Sequence, residues 1–185
     1  MPTFPRQTAI YGFLALTLLA TTATAQQGTH ATLIPQASRT PAPAFQSPDP
    51  SGATRQLSDY TGKVVLLNFW ATACGNCQLE IPWLIDLESA RKSDPFTIVG
   101  VSMDTSYNGA RSPDQAWTQV KPFVAAHHLN YPVLLGDAML LVSYKIQAVP
   151  ATYLIDRHGR IAATYAGVAD KSDVTANVDK LLAEQ

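Results

Sequence analysis

The chain has 185 residues, 13 basic and 14 acidic side chains, a formal net charge of −1 and only two cysteines. Near-neutral charge without a basic stripe excludes a nucleic-acid binder that works by phosphate neutralisation. Two cysteines are too few for a fold held together by a disulfide framework.

Arg6, the apolar run from Ile10 to Ala20 and the small residues Ala23-Thr24-Ala25 have the order of an export signal. Residues 1–25 are therefore expected to be a signal peptide cleaved before Gln26, or an N-terminal anchor if they are not removed. The apolar run is short for a bilayer span, which takes about 20 residues. Residues 26–43, rich in Thr, Ala, Gln and Pro, are expected to form a flexible linker. Residues 44–185 then make one domain, long enough to bury a core.

Phe45 to Tyr60 is turn-rich, with Asp49-Pro50-Ser51-Gly52 as a turn between two short strands. Lys63 to Trp70 is a nearly continuous apolar run, which predicts a strand buried on both faces. From Cys74 to about Ser89, Leu79, Trp83, Leu87 and Ile81, Leu84, Ile85 recur at helical spacing, with Pro82 expected to bend the helix. A strand follows at Phe96 to Met103, then a polar loop from Asp104 to Pro113. A helix is predicted from about Asp114 to His128, with Trp117, Val120, Val124 and Leu129 as its stripe. Tyr131 to Leu135 reads as a strand and Ala138 to Ile146 as a short helix. Ala151 to Ile155 and Ile161 to Tyr165 form a hairpin across Asp156-Arg157-His158-Gly159, and Lys171 to Ala183 closes the chain as a helix. Alternating strands and helices ending in a hairpin predict an α/β fold, a mixed central sheet with helices on both faces.

Cys74-Gly75-Asn76-Cys77 falls where the first long strand gives way to a helix. Residues i and i+3 on one helical turn satisfy disulfide geometry, about 4.4–6.8 Å between Cα atoms. The unpaired amides and partial positive charge of the helix start favour thiolate at Cys74, below the free value of about 8.5. Cys77, one turn further in, is expected to be less exposed. Cys74 would then attack a substrate disulfide and Cys77 would resolve the mixed disulfide. A four-residue loop gains little as a structural staple. Half of a zinc site would need two more ligands, and His30, His127, His128 and His158 form no suitably spaced pair. No metal or cofactor is expected.

The segment Trp70-Ala71-Thr72-Ala73-Cys74-Gly75-Asn76-Cys77, with Glu80-Ile81-Pro82, resembles the active-site stretch of thioredoxin-like proteins. It is most similar to the exported TlpA/ResA-like thiol–disulfide oxidoreductases. Gly62 to Phe69 and Val149-Pro150-Ala151-Thr152-Tyr153-Leu154-Ile155-Asp156 extend the similarity, as does an extra helix and strand between Asp104 and Leu135. The resemblance implies a thioredoxin-like fold from Phe45 onward and a periplasmic location. It implies that Pro150 is a cis-proline beside the dithiol, and that Val149 offers its backbone to an extended substrate segment. It also implies that Glu80 moves protons to or from Cys77, unless its carboxyl is merely solvated. Three departures stand out: Ala73 where the family has tryptophan, Asn76 where thioredoxin has proline, and Asn68 where thioredoxin has a buried aspartate.

The function expected is reduction of protein disulfides, with protein thiols or disulfides as partners. Cysteines awaiting haem attachment in apocytochrome c, or its maturation factors, are one such class, and a membrane electron donor would resupply electrons. Two other readings are open. A thiol peroxidase of the peroxiredoxin class needs a threonine three residues before its cysteine and a proline further upstream, where Ala71 and Leu67 stand. A copper or haem chaperone could use both cysteines as soft ligands, although no methionine or histidine lies near them in sequence.

Overall fold

The computed structural model describes residues 28–184; the predicted signal segment, residues 1–25, lies outside them. The apolar runs become β3 (Val64–Trp70) and β4 (Phe96–Ser102), every residue of which is buried. They pair in parallel, Val64 opposite Phe96 through Trp70 opposite Ser102. A parallel pair needs a crossover, and α1 (Gly75–Ala90) supplies it. Before them stand a small hairpin, β1 (Gln46–Pro48) and β2 (Thr54–Gln56), joined across the Asp49 turn. After β4 come a helical turn α2 (Asp104–Tyr107), the helix α3 (Pro113–Ala126), strand β5 (Val133–Leu135) and the short α4 (Ala138–Ser143). The chain ends with β6 (Ala151–Ile155), β7 (Ile161–Ala166) and α5 (Lys171–Ala183).

The five-stranded sheet has the order β5-β4-β3-β6-β7, mixed as expected, with β6 antiparallel to both neighbours. Alternation along the strands divides the core. Val64, Leu66 and Trp70 face α1, α3 and α5, packing with Leu84, Val120 and Val178. Val65, Leu67 and Phe69 face Leu140 and Tyr144 of the α4 side, and Phe45. Helices therefore lie on both faces. The inserted α3 and β5 sit at the β4 side, where Trp70 stacks on Phe123 at 5.1 Å.

Three expectations need correcting. Residues 28–43 are not a free linker. They run along the edge of β7 and across α5, with Ile34 N–H donating to Ala162 O (2.8 Å), Ile161 N–H to Thr40 O (2.9 Å) and Asn177 Nδ2 to Ala31 O (2.8 Å). An uncovered edge strand is a liability, and this strap covers it. Composition concealed the strap because its attachment is mostly through backbone. On α1, Leu79 is 61% exposed whereas Glu80 is 1% exposed, so the buried stripe passes through Cys77, Glu80, Ile81, Leu84 and Leu87. The polar stretch after β4 is not all loop, since Asp104 opens α2.

Arg39 is the strap's one deep anchor. Its guanidinium is buried, forks onto Glu184 at 2.6 and 2.7 Å, and also donates to Asp156 (3.2 Å). Removing one partner of a buried ion pair strands the other charge. Arg39→Ala is expected to cost about 3 kcal/mol, moderated by the second cation Arg160 on Asp156. A thermal melt should fall by about 6–12 °C. A loss under about 1 kcal/mol would show that the strap is held by its backbone bonds alone.

Candidate active site

β3 ends at Trp70, and Ala71 to Ala73 carry the chain to the start of α1. Cys74 is the N-cap of that helix, and its sulfur accepts the Cys77 N–H at 3.1 Å. The two cysteines are joined as a disulfide with Cα atoms 5.3 Å apart. Cys74 is partly exposed and Cys77 is 2% exposed, the asymmetry expected from one helical turn. The helix places unpaired amides and its positive end at the outer sulfur.

The loop before β6 closes over this sulfur. The Val149–Pro150 peptide is cis, and Val149 O lies 3.7 Å from Cys74 Sγ. Pro150 O accepts the Gly167 N–H (2.9 Å), which fixes the loop to the end of β7. Gly167 has φ +86°, a conformation that glycine adopts without steric cost. Neither Val149 N–H nor its C=O takes a backbone hydrogen bond among the described residues.

Glu80 lies one turn beyond Cys77, inside the protein. Its Oε1 accepts the Ala169 N–H (2.7 Å) and its Oε2 accepts Asn68 Nδ2 (3.2 Å). Asn68 also donates to Thr152 Oγ1 (2.9 Å), two residues past Pro150. Burial pushes the Glu80 carboxyl up to about 7, against the opposing pull of the two hydrogen bonds. A solvated surface glutamate is excluded, and a buried carboxyl with a raised pKa lies one helical turn beyond Cys77. The strap contributes here too. Thr29 N–H donates to Val168 O (2.6 Å) and Asp170 N–H to Thr29 O (2.9 Å), holding the turn that presents Ala169. A Cβ at Gly28 would lie 2.6 Å from Asp170 N, so the strap approaches this turn more closely than any other residue allows.

The structure thus gathers Cys74, Cys77, Glu80, Val149 and Pro150 at one end of the sheet. Sequence reading missed Thr152 and Ala169, which act through tertiary contacts. Asn68 left a trace as the one polar side chain in an otherwise apolar run. No group of three or more His, Cys, Asp or Glu placed to hold a metal occurs among the described residues. His127 instead packs on Phe123, with ring centroids 4.2 Å apart.

Comparison with known proteins agrees with this geometry. The AhpC/TSA family model matches residues 39–164. The thiol-disulfide oxidoreductase ResA of Bacillus subtilis is 32% identical over 132 residues, 71% of this chain and 68% of that protein. Among solved structures, a thiol:disulfide interchange protein DsbE of Chlorobium tepidum has TM-score 0.68 and 27% identity, covering 78% of this chain and 96% of that one. A secreted thiol-disulfide isomerase of Corynebacterium glutamicum has TM-score 0.69 and 25% identity, covering 86% and 96%. With its family model spanning more than half of its length, the chain belongs to the AhpC/TSA family of thioredoxin-like proteins.

Proposed function

We propose that this protein is an exported thiol–disulfide oxidoreductase that reduces disulfides in protein substrates. The observation that carries the reading is the Cys74–Cys77 pair at the amide end of α1, with one sulfur outward against the Val149 backbone and the other buried. A substrate segment pairs with the N–H and C=O of Val149, as an added strand does. The Cys74 thiolate attacks one substrate sulfur, forms a mixed disulfide and expels the other substrate sulfur as a thiolate, which takes a proton from solvent. Glu80 accepts the Cys77 proton, and the Cys77 thiolate attacks Cys74 Sγ. The substrate sulfur bonded to Cys74 then leaves as a thiolate and takes up the proton that Glu80 releases, and the internal disulfide closes. The substrate gains two electrons and two protons, and a dithiol donor returns the chain to its reduced form.

Export is supported by the order Arg6, Ile10 to Ala20, Ala23-Thr24-Ala25, and by the secreted relative. In a periplasm, protein cysteines that must stay reduced, such as those awaiting haem attachment in apocytochrome c, are the substrates proposed, with a membrane electron donor behind them. The direction is tested by equilibrating the purified protein with glutathione. A couple near or below about −200 mV is expected, and a value near about −120 mV would make the protein an oxidant instead. Rapid peroxide consumption by the reduced chain would favour the thiol peroxidase reading, in which Ala71 would have to do without the threonine hydroxyl that chemistry uses.

A further inference from the structure

Asp104 is fully buried, yet none of the ion pairs among the described residues includes it. All the donors it receives are neutral. The Thr72 N–H lies 3.2 Å from each carboxylate oxygen, Ser102 Oγ donates at 2.6 Å, and the Thr72 hydroxyl and Asn108 amide donate as well. Asn108 also donates to Thr72 Oγ1 (2.7 Å). Ser102, Asp104 and Asn108 come from the end of β4 and α2. Thr72 stands alone on the other side, in the three-residue passage between β3 and Cys74. The cluster therefore ties the approach to the nucleophile to the neighbouring strand through a carboxyl that receives no cationic partner.

We propose that Asp104 is a positioning residue that sets the redox balance of the dithiol, fixing Thr72 and opposing negative charge at Cys74. This rests on the dithiol function proposed above. The reduced form carries the Cys74 thiolate, whereas the disulfide is neutral. An anion held nearby penalises only the reduced form and makes the couple a stronger reductant; stabilising the reduced form makes an oxidant. The helix start and the Cys77 N–H pull the other way. Thr72 and Cys74 have Cα atoms within about 7 Å of each other. At roughly 10 Å and an intermediate effective dielectric, a unit charge changes a neighbouring equilibrium by on the order of tenfold. Glu80, the other carboxyl near the dithiol, approaches from α1 and is kept in every variant, so its contribution cancels.

The test follows the exchange of protein dithiol plus glutathione disulfide to protein disulfide plus two glutathione, in wild type, Asp104→Asn and Thr72→Val. Asp104→Asn is expected to shift this equilibrium about tenfold toward the protein dithiol, about 30 mV more oxidising. It is also expected to speed Cys74 alkylation at pH 7 by about three- to tenfold, through a larger thiolate fraction. Thr72→Val keeps the charge and the Thr72 N–H, so its equilibrium should stay within about twofold of wild type. An unchanged equilibrium in a folded Asp104→Asn protein overturns the proposal, and so does an equal shift in Thr72→Val. If Asp104→Asn does not fold, Asp104→Ser, which also removes the carboxylate, is read by the same glutathione equilibrium, and an unchanged equilibrium there overturns the proposal. If wild type shows no reversible couple with glutathione, it is the dithiol function that fails, a result distinct from the others.

Discussion

A Cys77→Ala variant is expected to lose multiple turnover and to accumulate a mixed disulfide between Cys74 and its substrate. Cys74 is the accessible sulfur and Cys77 the buried one, so only Cys74 meets an external disulfide. Cys77 is then the thiol placed to attack Cys74, and with alanine there the covalent intermediate has no internal route to resolution. Cys74→Ala should capture nothing and reduce nothing. Stability changes will not obscure the result. Opening a four-residue loop removes about 2 kcal/mol of chain-entropy stabilisation, which a domain of this size tolerates. Trapped species identified by mass spectrometry would also show whether cysteines of haem-accepting proteins are among the partners. Capture by Cys74→Ala in place of Cys77→Ala would reverse the assigned roles.

Glu80→Gln is expected to lower the rate of disulfide exchange at pH 7 by about a hundredfold, the lower end of what a positioned acid or base supplies. The same change should raise stability at alkaline pH. The Glu80 carboxyl is pushed from its ordinary 4.5 up to about 7 by burial. Below pH 4.5 it is protonated in both folded and unfolded chains. Between pH 4.5 and 7 the unfolded chain ionises first, so stability falls as pH rises through that window. Above pH 7 the folded protein carries the full cost of a buried carboxylate, about 3 kcal/mol at 1.36 kcal/mol per unit. Glutamine keeps the shape without the charge, so its stability should be flatter across the window and exceed wild type at pH 8. Chemical denaturation at pH 5 and pH 8 measures the difference. Equal pH dependence in both proteins would show that Glu80 is not the titrating group, and a normal exchange rate in Glu80→Gln would remove it from the proton path. A slower rate together with a gain in alkaline stability is the combination that a merely structural role would not produce.

Asp104 and Glu80 represent opposite uses of a buried carboxyl. Glu80 receives two hydrogen-bond donors and holds its proton to near neutrality. Asp104 receives the Thr72 amide and hydroxyl, the Ser102 hydroxyl and the Asn108 amide. The first keeps its proton to higher pH than an ordinary glutamate, and the second ties Thr72 to the end of β4.

The order of strands and helices was legible in the chain because periodicity is a local property. The runs Val64–Trp70 and Phe96–Ser102 have the length and the β-branched or aromatic content of buried strands, and the cysteine spacing at the start of a helical pattern pointed to dithiol chemistry. The helix and strand before Leu135 were visible for the same reason, whereas their being an extra pair was what the family resemblance implied. The depth of Glu80 was not, because one residue of rotation decides whether position 79 or position 80 of α1 faces the sheet. Leu79 turned outward despite its apolar side chain. The course of residues 28–43 was hidden for a different reason. Much of their binding is backbone to backbone against β7 and the turn before α5, and backbone groups carry no sequence signature. Asp104 read as a loop residue, since its partner Thr72 lies 32 positions away. The reactive pair was fixed by residue types and spacing alone, whereas the environment that tunes it was decided only when distant segments packed together, because burial and field depend on neighbours in space.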